Sequence, residues 1–178
     1  MAPRTPLARI TAVAAGFCVC SSLLLADSHG VDFDASVDFR TVTTFVLHPG
    51  VVHSKKPELD NRLFVQQLDD TIRAALLARG LKEVVNQPGV VVDVSVAGVD
   101  ASRSVRHPGT RAGGVVFPGS GIQREEYAEG TLVIDMSQNG ALIWRGTYHD
   151  EERSSPTLAR RFPTDAKTLL ADFPPKRK

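Results

Sequence analysis

The apolar positions of this chain change period several times, and each change predicts an element. Val31, Phe33, Ala35, Val37 and Phe39 alternate with Asp32, Asp34, Ser36 and Asp38, which predicts a strand, or a strand and a turn. Thr41 to Leu47 is β-branched and aromatic, as a strand should be, and Pro49-Gly50 breaks it. The period then becomes helical. Phe64, Val65, Leu68, Ile72, Ala75 and Leu76 form one stripe, opposite Arg62, Gln66, Asp69, Asp70 and Arg73. Asp60 or Asn61 can cap the start of this helix, Arg79 falls in its last turn, and Gly80 before apolar Leu81 predicts a Schellman end. Val90 to Val99, with three consecutive valines and then Val94, Val96 and Val99, reads as a central strand with both faces partly covered.

Residues 101–124 read as a long loop punctuated by Pro108-Gly109, Gly113-Gly114 and Pro118-Gly119-Ser120-Gly121, with Val115-Val116-Phe117 as an apolar island. A hairpin follows. Leu132, Ile134 and Met136 alternate on one arm and Leu142, Trp144 and Tyr148 on the other. Asn139-Gly140 supplies the two positive-φ positions of a type I′ turn. On this alternation Trp144 points inward with Leu142, while Ile143, Arg145 and Thr147 point outward. Leu158, Phe162, Ala166, Leu169, Leu170 and Phe173 then keep helical spacing. Pro163 costs about 3 kcal/mol inside a helix but is welcome at its first position, so the regular helix is expected to start near Pro163 and to end before Pro174-Pro175. The order β-β-α-β-loop-β-β-α predicts one α+β domain, a mixed or antiparallel sheet with two helices packed on it.

The N-terminal pattern is different. Arg4 and Arg9 precede an apolar run from Ile10 to Leu25, the charged and apolar regions of an export signal. That run is shorter than the roughly 20 residues needed to span a bilayer. Residues 1–30 are therefore assigned to a leader, 31–175 to an envelope domain and 176–178 to a basic tail. Cleavage after Ala26, cleavage after Gly30, and lipidation of Cys20 ahead of Ser21-Ser22 remain three open exits; Val19 before Cys20 is a poor match to a lipoprotein signal. Both cysteines, Cys18 and Cys20, lie in the leader, so the body holds no disulfide, thiol nucleophile or cysteine-based zinc site. From Val31 onward there are 19 basic and 19 acidic residues, a neutral balance that gives no overall field for nucleic acid or an anionic membrane.

Candidate chemistry is sparse. Asp32, Asp34 and Asp38 invite a calcium reading but lack the glycine and distant glutamate of an EF-hand loop, and read better as the wet face of a strand. His48, His53, His107 and His149 sit on separate segments without metal-ligand spacing. His149-Asp150-Glu151-Glu152 reads as a charged strand end. Gly119-Ser120-Gly121 lacks the outer spacing of a nucleophile elbow, and no phosphate-loop or dinucleotide glycine motif is present. The expectation is no catalytic residue, no metal site and no cofactor.

The residues also carry a family resemblance. Asp32-Phe33-Asp34 with Val37-Asp38-Phe39 and Thr43-Thr44-Phe45, then Ala78-Arg79-Gly80-Leu81 before the valine strand, form its first half. Glu129-Gly130-Thr131-Leu132-Val133-Ile134-Asp135 with Leu142-Ile143-Trp144-Arg145-Gly146, and Leu169-Leu170 leading into Phe173-Pro174-Pro175, form its second. In this order they resemble the bacterial envelope family catalogued as domain of unknown function 4136, whose members are mostly lipoprotein-like. The resemblance implies a compact α+β domain on the periplasmic side of the cell envelope, often anchored to the outer membrane by lipid, and implies no catalytic residues. The loop of this chain lacks the aromatic richness that the resemblance leads one to expect.

The expected function is a non-enzymatic binding or accessory module of the envelope. Its partner is an unidentified envelope component, not nucleic acid, and membrane contact is expected only through a lipidated Cys20. Candidate partner contacts are Val115, Val116, Phe117, Ile143 and Arg145. Two rivals are an envelope hydrolase using Asp135, Glu151 or Glu152 with His149, and a periplasmic carrier of a small molecule or lipid. Oligomeric state is left open.

Overall fold

The computed structural model describes residues 28–106, 111–112, 115–116, 122–171 and 173–174. The first strand, β1 (Ser28–Phe33), starts three residues inside the expected leader and pairs antiparallel with β9 from Ser28 opposite His149 to Phe33 opposite Trp144. A turn follows it, as in the strand-and-turn alternative. Asp34 ends it by accepting hydrogen bonds from Ser36 N (2.8 Å) and Ser36 Oγ (2.6 Å). These bonds hold the Asp34 carboxyl below the usual carboxylate range. Asp38 then caps a short 3-10 turn, Phe39–Thr41. Asp34 and Asp38 thus have separate local roles.

Next come β2 (Thr44–Leu47), β3 (Val51–His53) and α1 (Arg62–Ala78). Asn61 caps α1 by accepting from Phe64 N at 2.9 Å. At its other end Gly80 N donates to Leu77 O and Leu81 N to Leu76 O, the two bonds of a Schellman end, with Gly80 at φ +87°. The chain continues through β4 (Lys82–Glu83), β5 (Val90–Arg106), β6 (Arg111–Ala112), β7 (Val115–Val116), β8 (Ile122–Gln138), β9 (Ala141–Glu152) and α2 (Ser155–Ala171).

Seven strands form one mixed sheet in the order β1-β9-β8-β5-β2-β4, with β3 pairing the same side of β5 further along. β2 and β3 run parallel to β5, which is what the α1 crossover between them allows. Both helices pack on one face. Phe64, Leu68, Ile72 and Leu76 of α1 and Leu158, Phe162, Ala166, Leu169 and Leu170 of α2 meet Val90, Val92, Val94, Val96, Leu132, Ile134, Met136 and Trp144. The opposite face is open, so β5 is covered on one side only.

Two sequence expectations change here. α2 starts at Ser155, not near Pro163, and Pro163 lies inside it. Ser154 O accepts from Thr157 N and Leu158 N, which opens the helix. Leu158 and Phe162 ahead of the proline are fully buried, and two such side chains are worth about 3–6 kcal/mol against a proline cost of about 3 kcal/mol. The second change is in the hairpin. Met136 pairs with Trp144 but Ser137 with Leu142, so Ile143 is the extra residue of a β-bulge. Ile143 and Trp144 both turn inward, Ile143 at 4% exposure, and Leu142 turns outward at 46%.

Candidate functional site

The expected loop 101–124 is in large part a β-arm. Beyond Ala128, where β9 ends its pairing, β5 and β8 continue alone through six further pairs, from Ala101 opposite Tyr127 to Arg106 opposite Ile122. At about 3.4 Å per residue the arm projects roughly 20 Å past the sheet. Among the described residues the core has no member between Val96 and Ala128, so the described part of the arm is held by its ladder and not by burial. β6 and β7 pair with each other in a separate two-stranded sheet, Arg111 opposite Val116 and Ala112 opposite Val115.

At the base of the arm, ionic chemistry concentrates on both faces. On the open face Arg103 Nε meets Glu125 Oε2 at 2.9 Å and its Nη1 meets Glu151 Oε2 at 3.4 Å. The same guanidinium lies 5.1 Å from the Tyr127 ring centroid, a cation–π contact. The hydrogen bond to Glu125, followed by its charge, holds Arg103 still more firmly protonated. Tyr127 Oη donates to Glu129 Oε1 at 2.8 Å, and this bond is the largest cause of a raised phenol pKa. A cleft of about 270 Å³ opens beside this group, lined by Arg103, Tyr127, Glu151, Glu152 and Arg161 among others.

On the helix-bearing face a cleft of about 420 Å³ separates the arm from the start of α2, lined by Asp100, Ser102, Arg124, Glu126, Arg153 and Ser155 among others. Arg124 Nε donates to Ser102 Oγ at 3.0 Å, Ser155 Oγ to Asp100 Oδ1 at 3.4 Å, and Lys56 Nζ pairs with Asp100. Below both clefts Asp150 and Asp165 are buried around Arg161, whose Nε is 3.5 Å from Asp150 and 4.0 Å from Asp165 and whose Nη1 is 3.7 Å from Glu152. This group ties the first turns of α2 to the end of β9. Reading His149 to Glu152 as a uniformly charged strand end missed Asp150. Trp144, Gly146 and Tyr148 share the inner face, and the same alternation carries Asp150 inward.

The candidate residues fare unevenly. Val115 and Val116 form β7. Phe117, Cys20 and His107 lie outside the described residues. Ile143 is buried by the bulge, which corrects its placement as an outward contact. Arg145 is on the open face, bound to Asp135 through both oxygens at 2.7 Å. Of the carboxylates named for a hydrolase with His149, Asp135 is remote. Asp135 is opposite Arg145, six residues along β9 from Glu151, or roughly 20 Å. Glu151 and Glu152 contact Arg103 and Arg161, and His149 Nδ1 lies 3.2 Å from Thr131 Oγ1. Among the described residues no helix is long and apolar enough to cross a membrane.

The chain matches the family DUF4136, a domain of unknown function, over residues 30–175, nearly all of the folded body. It belongs to the DUF4136 family. No curated protein matches the chain. Among solved structures, a PDZ domain protein from Parabacteroides distasonis is 11% identical at a TM-score of 0.57. It covers 84% of this chain, which spans 36% of that protein, so the likeness concerns the fold of one part of it. A DUF4136 family protein from Bacteroides thetaiotaomicron is 12% identical, with 83% of this chain and 94% of that one covered, at a TM-score of 0.44. A PelC dodecamer from Paraburkholderia phytofirmans is 10% identical, with 83% and 94% covered, at 0.43.

Proposed function

We propose that this DUF4136 protein is an exported binding module of the cell envelope, without catalytic chemistry of its own, that engages an envelope component through the β5–β8 arm. The observation that carries the reading is the arm itself. Six residue pairs continue beyond every neighbouring strand and their described side chains contribute nothing to the core, although an exposed ribbon is an aggregation liability that a fold has reason to shorten. Glu125, Glu151 and Glu152 beside it are engaged by arginines, which favours a recognition surface over acid–base chemistry. The basic-then-apolar leader supports export, with Cys20 as the position that a lipid anchor would use.

Ser102 and Glu126 are directly paired, so residues 103–125 can be replaced by Asn-Gly. The shortened protein is expected to keep its melting temperature and to lose association with isolated envelope vesicles. Any acyl chain is common to both proteins and cancels in the comparison. Association unchanged by the shortening would overturn the reading.

A further inference from the structure

β8 loses a neighbour where β9 ends, and the alternation of the main chain shows what that leaves open. Asp34 N donates to Ile143 O, so Ile143 and, by alternation, Arg145, Thr147 and His149 bond to β1. The residues between them, Gly146, Tyr148, Asp150 and Glu152, bond to β8 at Ile134, Leu132, Gly130 and Ala128. The other side of β8 agrees. Val92 O accepts from His48 N, away from β8, so Val92 and its partner Met136 do not bond to each other. Carried beyond Ala128, the alternation turns the N–H and C=O of Glu126 and Arg124 to the side that β9 has left, while Tyr127, Glu125 and Gln123 bond to β5. Among the described residues no strand pairs with that side.

The gap is shaped on both faces. The two clefts at the arm's base share Glu126, Tyr127 and Arg153 in their walls, so they flank the same stretch of open edge, one on each face of the sheet. A strand laid along β8 sends alternate side chains to opposite faces, into one cleft and then the other. Neither a proline nor a bulge blocks the edge between Ile122 and Tyr127. In the helix-face cleft Asp100 is paired with Lys56, and Arg124 gives its Nε to Ser102, a neutral partner. Arg153, between β9 and α2, lines both clefts and has no ion pair or hydrogen bond among the described residues. Against these two guanidinium charges the cleft sets one further carboxylate, Glu126.

Resting on the arm reading above, we infer that the partner is a protein, and that an extended segment of it adds to β8 as a strand in line with β9, bonding to the main chain of Glu126 and Arg124 and turning an acidic side chain to Arg124 and Arg153. Main-chain bonds hold such a segment, and the clefts choose its side chains. A carboxylate suits a guanidinium fork that has no acid of its own.

The test compares association with isolated envelope vesicles, intact or stripped of surface protein by protease beforehand. Stripping is expected to abolish it. Glu126→Pro removes an outward N–H and no bond to β5, so the ladder of the arm stands. The lost bond leaves a buried carbonyl of the partner unpaired, and Glu126→Pro is expected to bind at least about fivefold more weakly than Glu126→Ala at equal melting temperature. Arg124→Pro against Arg124→Ala repeats the comparison at the next outward position. Arg153→Ala is expected to weaken association and to reduce its sensitivity to salt. On the vesicles, exchange of the Glu126 and Arg124 amide hydrogens slows, while Glu125 and Gln123, already in the ladder, change little. Association that survives stripping, proline variants no weaker than their alanine counterparts, or unslowed exchange at Glu126 and Arg124 would sink the strand inference, and an unchanged Arg153→Ala would overturn its acidic chemistry. In each case the arm reading stands as long as shortening the arm still abolishes association. Association that survives the shortening sinks both.

Discussion

Gly130 offers a sharp test of how α2 seats on the sheet. It pairs with Gly98 on β5 and Asp150 on β9, and its missing side chain leaves room for the helix. A Cβ there would stand 2.6 Å from both Leu158 Cδ2 and Phe162 Cζ, and 2.9 Å from Leu158 Cδ1. Leu158 and Phe162 are fully buried, so neither can move into solvent to make room. Overpacking costs about 1–3 kcal/mol, and two immobile neighbours put Gly130→Ala in the upper half of that range. For a domain of this size that lowers the melting temperature by about 4–12 °C. The single tryptophan, Trp144, is fully buried and reports unfolding by fluorescence. Leu158→Ala alone costs about 2–5 kcal/mol. Combined with it, Gly130→Ala refills vacated space, and the double variant should beat the sum of the singles by at least about 1 kcal/mol. Gly30→Ala, with nothing within 4 Å of its Cβ, is the control and should lose nothing. A Gly130→Ala protein within about 0.5 kcal/mol of the parent, or strict additivity, would refute the seating of α2.

Asn61→Ala removes the cap on Phe64 N and should cost about 1 kcal/mol in urea unfolding. Burial, ahead of the opposing Gly50 N–H and Arg73, raises the Asp69 carboxyl above its ordinary value. A carboxyl with a higher folded than unfolded pKa contributes its stability fully below the unfolded value and loses it as pH rises through the folded one. Asp69→Asn should therefore gain in melting temperature on the parent protein as pH climbs from about 3 to 7; parallel curves would contradict this. Arg145→Ala breaks a half-exposed pair with Asp135 and should shift stability by less than about 1 kcal/mol. Intact mass should place the mature N-terminus at or before Asp27, since cleavage after Gly30 would remove three β1 pairs.

Elements that bury one face were legible in the sequence. The α1 stripe, its cap at one of Asp60 and Asn61, its Gly80 end, and the turn at Asn139-Gly140 agree with the structure because local chemistry decides each of them. Two misses share a cause, which is that something non-local outweighs a local rule. Pro163 argues for a helix boundary, yet Leu158 and Phe162 gain more by packing than the proline costs. Simple alternation put Leu142 inward and Ile143 outward, and one bulge reversed both. A bulge leaves no compositional mark when the residues around it are all apolar.

The arm escaped for the opposite reason. Strands are found by a buried face, and a ribbon wet on both sides has none, so Ser102, Arg103, Ser104 and Arg124 show no period. What does mark the segment is the absence of acid over 103–124, which is visible in the sequence but lost when charge is summed over the whole body.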